Sequence, residues 1–208
     1  MTRKQSIFVI VLTVVLVNGI SMARDSDHSY PTNSPSIGPS VGDTIAVLSV
    51  ADVRRDKSVG FKKLTTIGQR TVKNGLKKSR YELAFQSDFG GIAAVTDEDL
   101  EYLDPSWVSE LGPDGERWVL LVVLEDAARK ATFGSAFGTV CSGYLFDKST
   151  GEAIWLDEAT GTQGQGGLIG FAMGSAMRGE AFASCTGKLM SSFPGRNQGK
   201  KNKKKKNR

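Results

Sequence analysis

The stretch from Trp118 to Gly161 is rich in apolar residues, and three elements can be read there. Trp118 to Leu124 is an unbroken run of mostly Val and Leu, which suits a strand buried on both faces; period alone leaves a buried helix open. From Ala131 to Phe146 the chain turns to Phe, Thr, Val, Cys and Tyr, types that fit a pleated surface. Asp147 and Ser149 can bond nearby backbone amides and Gly151 can take a positive φ, so the next few residues read as a tight hairpin turn. Glu152 to Ala159 is the return strand, with Ala153, Trp155 and Asp157 expected on one face and Ile154, Leu156 and Glu158 on the other.

Upstream, Asp43 to Val50 reads as a first strand. Phe61 to Ser79 places Phe61, Leu64, Ile67, Val72 and Leu76 near helical spacing with lysines opposite, which predicts an amphipathic helix despite Gly68 and Gly75. Tyr81 to Gln86 is a second short strand. Thr96 is the expected N-cap of a helix whose first turn carries Asp97, Glu98 and Asp99, where carboxylates suit the helix dipole. That helix ends near Asp104-Pro105, and Trp107 to Leu111 forms a further turn. Downstream, Glu180 to Phe193 is a last helix with Ala181, Phe182, Cys185 and Leu189 on one face. Together these elements predict an α/β fold: a mixed sheet of about five strands with helices packed on it and a β-meander in the second half.

The termini read differently. Met1 to Ala23 has a basic start (Arg3, Lys4), an apolar segment from Ile7 to Val17 and the small-x-small pattern Ser21-Met22-Ala23, the layout of a secretory signal peptide. The apolar segment has about eleven residues where a membrane-spanning helix takes roughly twenty, so cleavage is favoured over a retained anchor. No cysteine follows it to carry a lipid. Residues 24–41 are rich in Ser, Pro, Asp and Asn and read as a disordered linker. Residues 42–194 then form a single domain, and residues 195–208 a disordered lysine-rich tail.

Charge changes meaning once it is divided along the chain. The net charge is +5, yet ten of the 27 basic residues sit at the two ends, leaving 17 against 22 acidic residues between them. The domain is thus mildly acidic, and it carries no basic excess that would mark a nucleic-acid-binding face. The tail residues Lys200, Lys201, Lys203, Lys204, Lys205 and Lys206 form an electrostatic tether. Its partner is an anionic membrane surface, at about 1 kcal/mol per basic residue near the headgroups, or another polyanion. Nucleic acid is disfavoured, because no aromatic residue is interleaved for base stacking.

Candidate chemistry is sparse. His28 is the only histidine and lies in the linker, which disfavours a His-based triad or zinc site. The carboxylate pairs Glu125 and Asp126, and Asp157 and Glu158, are neighbours on strands and should point to opposite faces rather than converge. No cofactor and no catalysis are expected. Cys141 and Cys185 are the only cysteines, and in an oxidising compartment a bridge between sheet and last helix is favoured over two buried thiols. Within the apolar stretch Gly167 to Met177, Gly170 and Gly174 continue a four-residue spacing begun at Gly166. On a helix these glycines form a smooth ridge. Three readings stand for it: a flexible connection, a close-packed core helix, or a contact surface in which Leu168 and Phe171 flank the ridge.

The segment Asp147, Thr150, Gly151, Glu152 and Trp155, spaced Asp-x-x-Thr-Gly-Glu-x-x-Trp, resembles a hairpin found in exported α/β proteins. These are the curli-secretion channel (CsgG-like) family, the amino-terminal domain of the Tol-system protein TolB, and small periplasmic lipoproteins related to them. The resemblance spans about Asp43 to Phe193 and implies an accessory role in envelope assembly, secretion or transport, with no catalytic residues to carry over. This chain departs from those families in lacking a lipidated cysteine after the signal. The expectation is an exported, non-enzymatic protein of the periplasm or cell envelope, or secreted where there is no outer membrane, that meets envelope proteins or its own copies. The alternative is a soluble periplasmic module binding a small ligand at the carboxyl ends of the strands.

Overall fold

The computed structural model describes residues 38–79, 81–132, 134–165 and 174–195, and the signal, the linker up to Ile37 and the lysine tail lie outside these residues. Six strands form one mixed sheet: β1 (Thr44–Val47), β2 (Ala51–Asp52), β3 (Glu82–Phe85), β4 (Trp118–Thr132), β5 (Gly134–Asp147) and β6 (Glu152–Gln165). Among the described residues, four helices pack on it: α1 (Leu64–Leu76), α2 (Asp97–Tyr102), α3 (Pro105–Glu110) and α4 (Gly174–Ser192). The sheet order is β3-β1-β4-β5-β6, with β2 extending the β1 side of β4. β1 pairs in parallel with both β3 and β4, whereas β4, β5 and β6 are an antiparallel meander.

The two parallel connections explain the layers. The chain leaves β1 through α1 to reach β3, then passes back over β1 through α2 and α3 to reach β4. Right-handed crossovers that run in opposite directions put their helices on opposite faces of a sheet. α1 and α4 accordingly cover one face, where Trp118, Leu120, Val122 and Leu124 meet Val72, Leu76, Phe182 and Leu189. α2 and α3 cover the other, where Val119, Leu121 and Val123 meet Leu100, Val108 and Phe146. Trp118 to Leu124 is therefore a strand, sealed on both faces.

Local chemistry sets the element ends much as the sequence indicates. Thr96 caps α2 in a capping box, with its hydroxyl accepting from the Asp99 amide at 3.2 Å and Asp99 Oδ2 accepting from the Thr96 amide at 2.8 Å. Asp104 caps α3, with Pro105 at its first position. One expectation needs correction. Ala153 and Trp155 do not share a face, because the β5–β6 register shifts so that Phe146 pairs with Ala153 but Leu145 with Trp155. The extra residue, Ile154, is a bulge that turns Trp155 into the α1/α4 core while Ala153 packs on the α2/α3 side.

The turn between β5 and β6 is fixed by Asp147, which is fully buried. Its carboxylate accepts from Arg117 Nε at 3.0 Å and Nη2 at 2.6 Å, and from the Ser149 amide at 2.9 Å. Gly151 holds φ at 75°. Burial works against the charge of Asp147, but these donors outweigh it and hold the carboxyl below its ordinary range. A folded-state pKa below the unfolded one gives stability that is present above about pH 4 and lost as the pH falls through the carboxylate range. Asp147→Asn should cost about 2 kcal/mol at neutral pH, a value reduced by the solvent exposure of Arg117. Urea denaturation at neutral and acid pH checks this: the gap between the two proteins should close as the pH drops.

Candidate interaction surface

β4, β5 and β6 have 15, 14 and 14 residues, whereas β1 and β3 have four each. The meander therefore runs well past the rest of the sheet. Where it leaves the shared core, the β4–β5 register shifts between Leu124 and Asp126, which makes Glu125 a bulge. Glu125 Oε1 accepts from the hydroxyl of buried Ser142 at 2.5 Å, and Asp126 Oδ1 accepts from the Ala127 amide at 2.7 Å. Asp157 accepts from the Ser192 hydroxyl and from the Glu158 amide. The carboxylates of Glu125 and Asp126 thus serve separate local contacts.

Beyond the bulge the two faces of the meander differ. On the α4 side, Ala127, Phe137, Thr139, Cys141 and Gly161 are buried. Phe137 packs with Met177 and Ala181 of α4 and with Val59. Gly161 is the point of closest approach: a Cβ there would overlap the Ala181 carbonyl oxygen and lie 2.6 Å from the Cys185 nitrogen. On the other side, Ala128, Thr160, Thr162 and Gly164 are exposed and Ala136, Gly138 and Val140 only partly covered. The helices α2 and α3 pack no further along the meander than Val123 and Tyr144. The result is an open face of mostly small residues on a three-stranded projection, with exposed Asp126 and Glu158 at its core end.

The sequence carries a signal for this face in its alternation. Ala136, Gly138 and Val140 alternate with buried Phe137, Thr139 and Cys141, and Thr160, Thr162 and Gly164 alternate with Ala159, Gly161 and Gln163. Of the expected contact residues, Gly166, Leu168, Gly170 and Phe171 lie outside the described residues, as do the tail lysines; Gly174 is the first residue of α4.

The structure brings Cys141 and Cys185 together as expected, both fully buried between β5 and α4. The bridge is not formed, and both are free thiols. The Cys185 thiol instead donates to the Ala159 carbonyl at 2.9 Å, and Ala159 is the cross-strand partner of Cys141. Burial pushes the Cys141 thiol well above its ordinary range, which removes thiolate and hence reactivity. At the carboxyl ends of β1 and β3, where the ligand-binding alternative places its cleft, the chain's own side chains make hydrogen bonds. Gln69 Nε2 donates there to the Gln86 carbonyl at 2.6 Å, and Ser49 and Thr65 hydroxyls lie 2.8 Å apart. Among the described residues, no group of three His, Cys, Asp or Glu could hold a metal, and no helix is long and apolar enough to cross a membrane.

No family model and no curated protein matches the sequence, so the resemblance to the curli-secretion and Tol-system families gains no support from them. Among solved structures, the chain is similar to the PelC dodecamer from Paraburkholderia phytofirmans, at 18% identity over 74% of this chain and 90% of that one (TM-score 0.41). It is also similar to the lipoprotein GNA1162 from Neisseria meningitidis, at 15% identity over 64% and 94% of the two chains (TM-score 0.41). A third is the LpoB C-terminal domain from Salmonella enterica, at 15% identity over 60% and 85% (TM-score 0.36).

Two measurements follow from this geometry. Gly161→Ala should destabilise the domain by about 2–3 kcal/mol, because the obstacle is the backbone of α4 rather than a movable side chain. Thr162→Ala on the open face should leave the urea midpoint unchanged. Maleimide labelling without reductant should find no reactive thiol in the native chain and both thiols after denaturation; no thiols in the denatured chain would mean that the pair is oxidised after folding.

Proposed function

We propose that the chain is an exported envelope protein that acts by contact, as an accessory or subunit of an envelope-assembly, secretion or transport system, and that it is not an enzyme. The observation that carries this reading is the β4–β5–β6 projection, sealed by α4 on one side and open on the other. A face of mostly Ala, Gly, Val and Thr lets another backbone or sheet approach closely. The signal-like pattern of residues 1–23 supports export, and apolar Leu168 and Phe171 follow β6 closely in sequence.

Light scattering after gel filtration, on the exported chain with and without mild detergent, tests the reading. A discrete oligomer, or a mass that shifts with detergent, is expected, and Val140→Glu with Thr162→Glu on the open face should return it to a monomer without lowering its melting temperature. A monomer in both conditions, with no partner cross-linked through these positions in the cell envelope, would remove the proposal.

A further inference from the structure

The two crossovers of the sheet carry opposite charge. Residues 61–79 hold six basic residues and no acidic one, and residues 81–116 hold ten acidic residues and no basic one. The first segment builds α1 on one face of the sheet, and the second builds α2 and α3 on the other. Arg70, Lys73 and Lys77 are exposed on the side of α1 turned away from the buried Gly68, Val72 and Leu76. On the opposite face Asp97, Glu98 and Glu101 of α2 and Glu110 of α3 are exposed, and Tyr102 among them is 73% exposed. None of these charges forms an ion pair with another described residue.

The sheet keeps these two helical layers apart, so their charges cannot meet within one chain; they can meet only between chains. Like charges three and four residues apart on a helix repel, and a surface of opposite sign laid against them relieves the repulsion. Tyr102 gives the acidic face an aromatic ring on which a guanidinium such as that of Arg70 can stack. The neighbouring surfaces match as well. α4 lies beside α1 in one layer, where a Cβ on Gly75 would lie 2.5 Å from Met190 Cβ, and its Ala176, Ser184 and Ser191 are exposed and small. The open meander lies beside α2 and α3 on their face, with the acidic Asp126 and Glu158 at its core end. A copy that sets its α1 on the α2/α3 face of another therefore brings the outer side of its α4 over the open meander.

We propose that the occupant of the open face is a second copy of this chain, docked through the basic outer side of its α1 against the acidic, tyrosine-bearing α2/α3 face of the first. The contact joins two different patches, so a pair of copies still leaves one patch of each kind free and assembly continues past a dimer. Charge fixes which side of one copy meets which side of the next. The inference rests on the reading of the chain as a protein that acts by contact through the open face, and it names the partner of that face.

Light scattering after gel filtration, on the exported chain and on two charge-reversed variants, tests it. One variant carries Arg70→Glu, Lys73→Glu and Lys77→Glu; the other carries Glu98→Lys, Glu101→Lys and Glu110→Lys. The parent should exceed the mass of a dimer and dissociate as salt is added. Each variant alone should run as a monomer, because its two faces then carry the same sign. Both should melt within a few degrees of the parent, which separates lost docking from lost folding. An equimolar mixture of the two should regain the mass of the parent, since each face of one variant finds its opposite on the other. Variants that stay assembled, or a mixture that stays monomeric, would overturn the proposal and leave self-association through the open face standing. A parent that stops at a dimer would overturn it in the same way. A parent that is monomeric at every salt concentration would overturn it together with self-association.

Discussion

β4 is apolar on both faces, and the rest of the architecture answers to that constraint. Trp118, Leu120, Val122 and Leu124 point one way and Val119, Leu121 and Val123 the other, all seven buried. At roughly 2 kcal/mol for each buried side chain of this size, neither set can be left in water. One layer of helices would satisfy only half of the strand. The two crossovers that leave and return across β1 supply the second layer, and the right-handed rule decides which helix goes to which face. The charge of the two crossovers follows the same division: residues 61–79 hold six basic residues and no acidic one, and residues 81–116 ten acidic residues and no basic one.

That double coverage stops at Glu125, where the register shift marks the boundary between the shared core and the projection. Past it, α4 alone covers the meander, and it can come close only because Gly161 has no side chain. The contact is self-consistent: Ala181 and Cys185 are small, Phe137 and Met177 fill the space beside them, and the Cys185 thiol and Lys188 ammonium satisfy the Ala159 and Thr160 carbonyls of β6. An open face opposite such a contact keeps its shape without a partner, since the strands are already held from behind.

Much of this was legible in sequence because the elements carry strong local signals. The run from Trp118 to Leu124, the Thr96 cap with its acidic first turn, the Asp147 to Gly151 turn and the core face of α4 all follow from residue type and spacing alone. The lengths of β4, β5 and β6 were harder to read, because Arg129, Gly138, Thr160 and Gly164 break the apolar pattern that marks a half-buried strand. Their outer positions face solvent, so nothing selects large apolar residues there. The bulge at Ile154 was invisible for a different reason. Ile154 and Trp155 are both apolar, and strict alternation has no means of registering an inserted residue.

The open face depends on strand pairing between residues twenty or more positions apart. Ala136, Gly138 and Val140 become a surface only when Thr160, Thr162 and Gly164 are laid beside them. The same holds for the cysteines. Both positions read as core, and topology brings them together, but the choice between a bridge and two thiols turns on where each sulfur points. Cys185 sits against the Ala159 carbonyl, directly across from Cys141, so its hydrogen bond and a disulfide compete for one sulfur. Pattern can nominate such a pair; only the packing of α4 over Gly161 decides which of the two arrangements the fold holds.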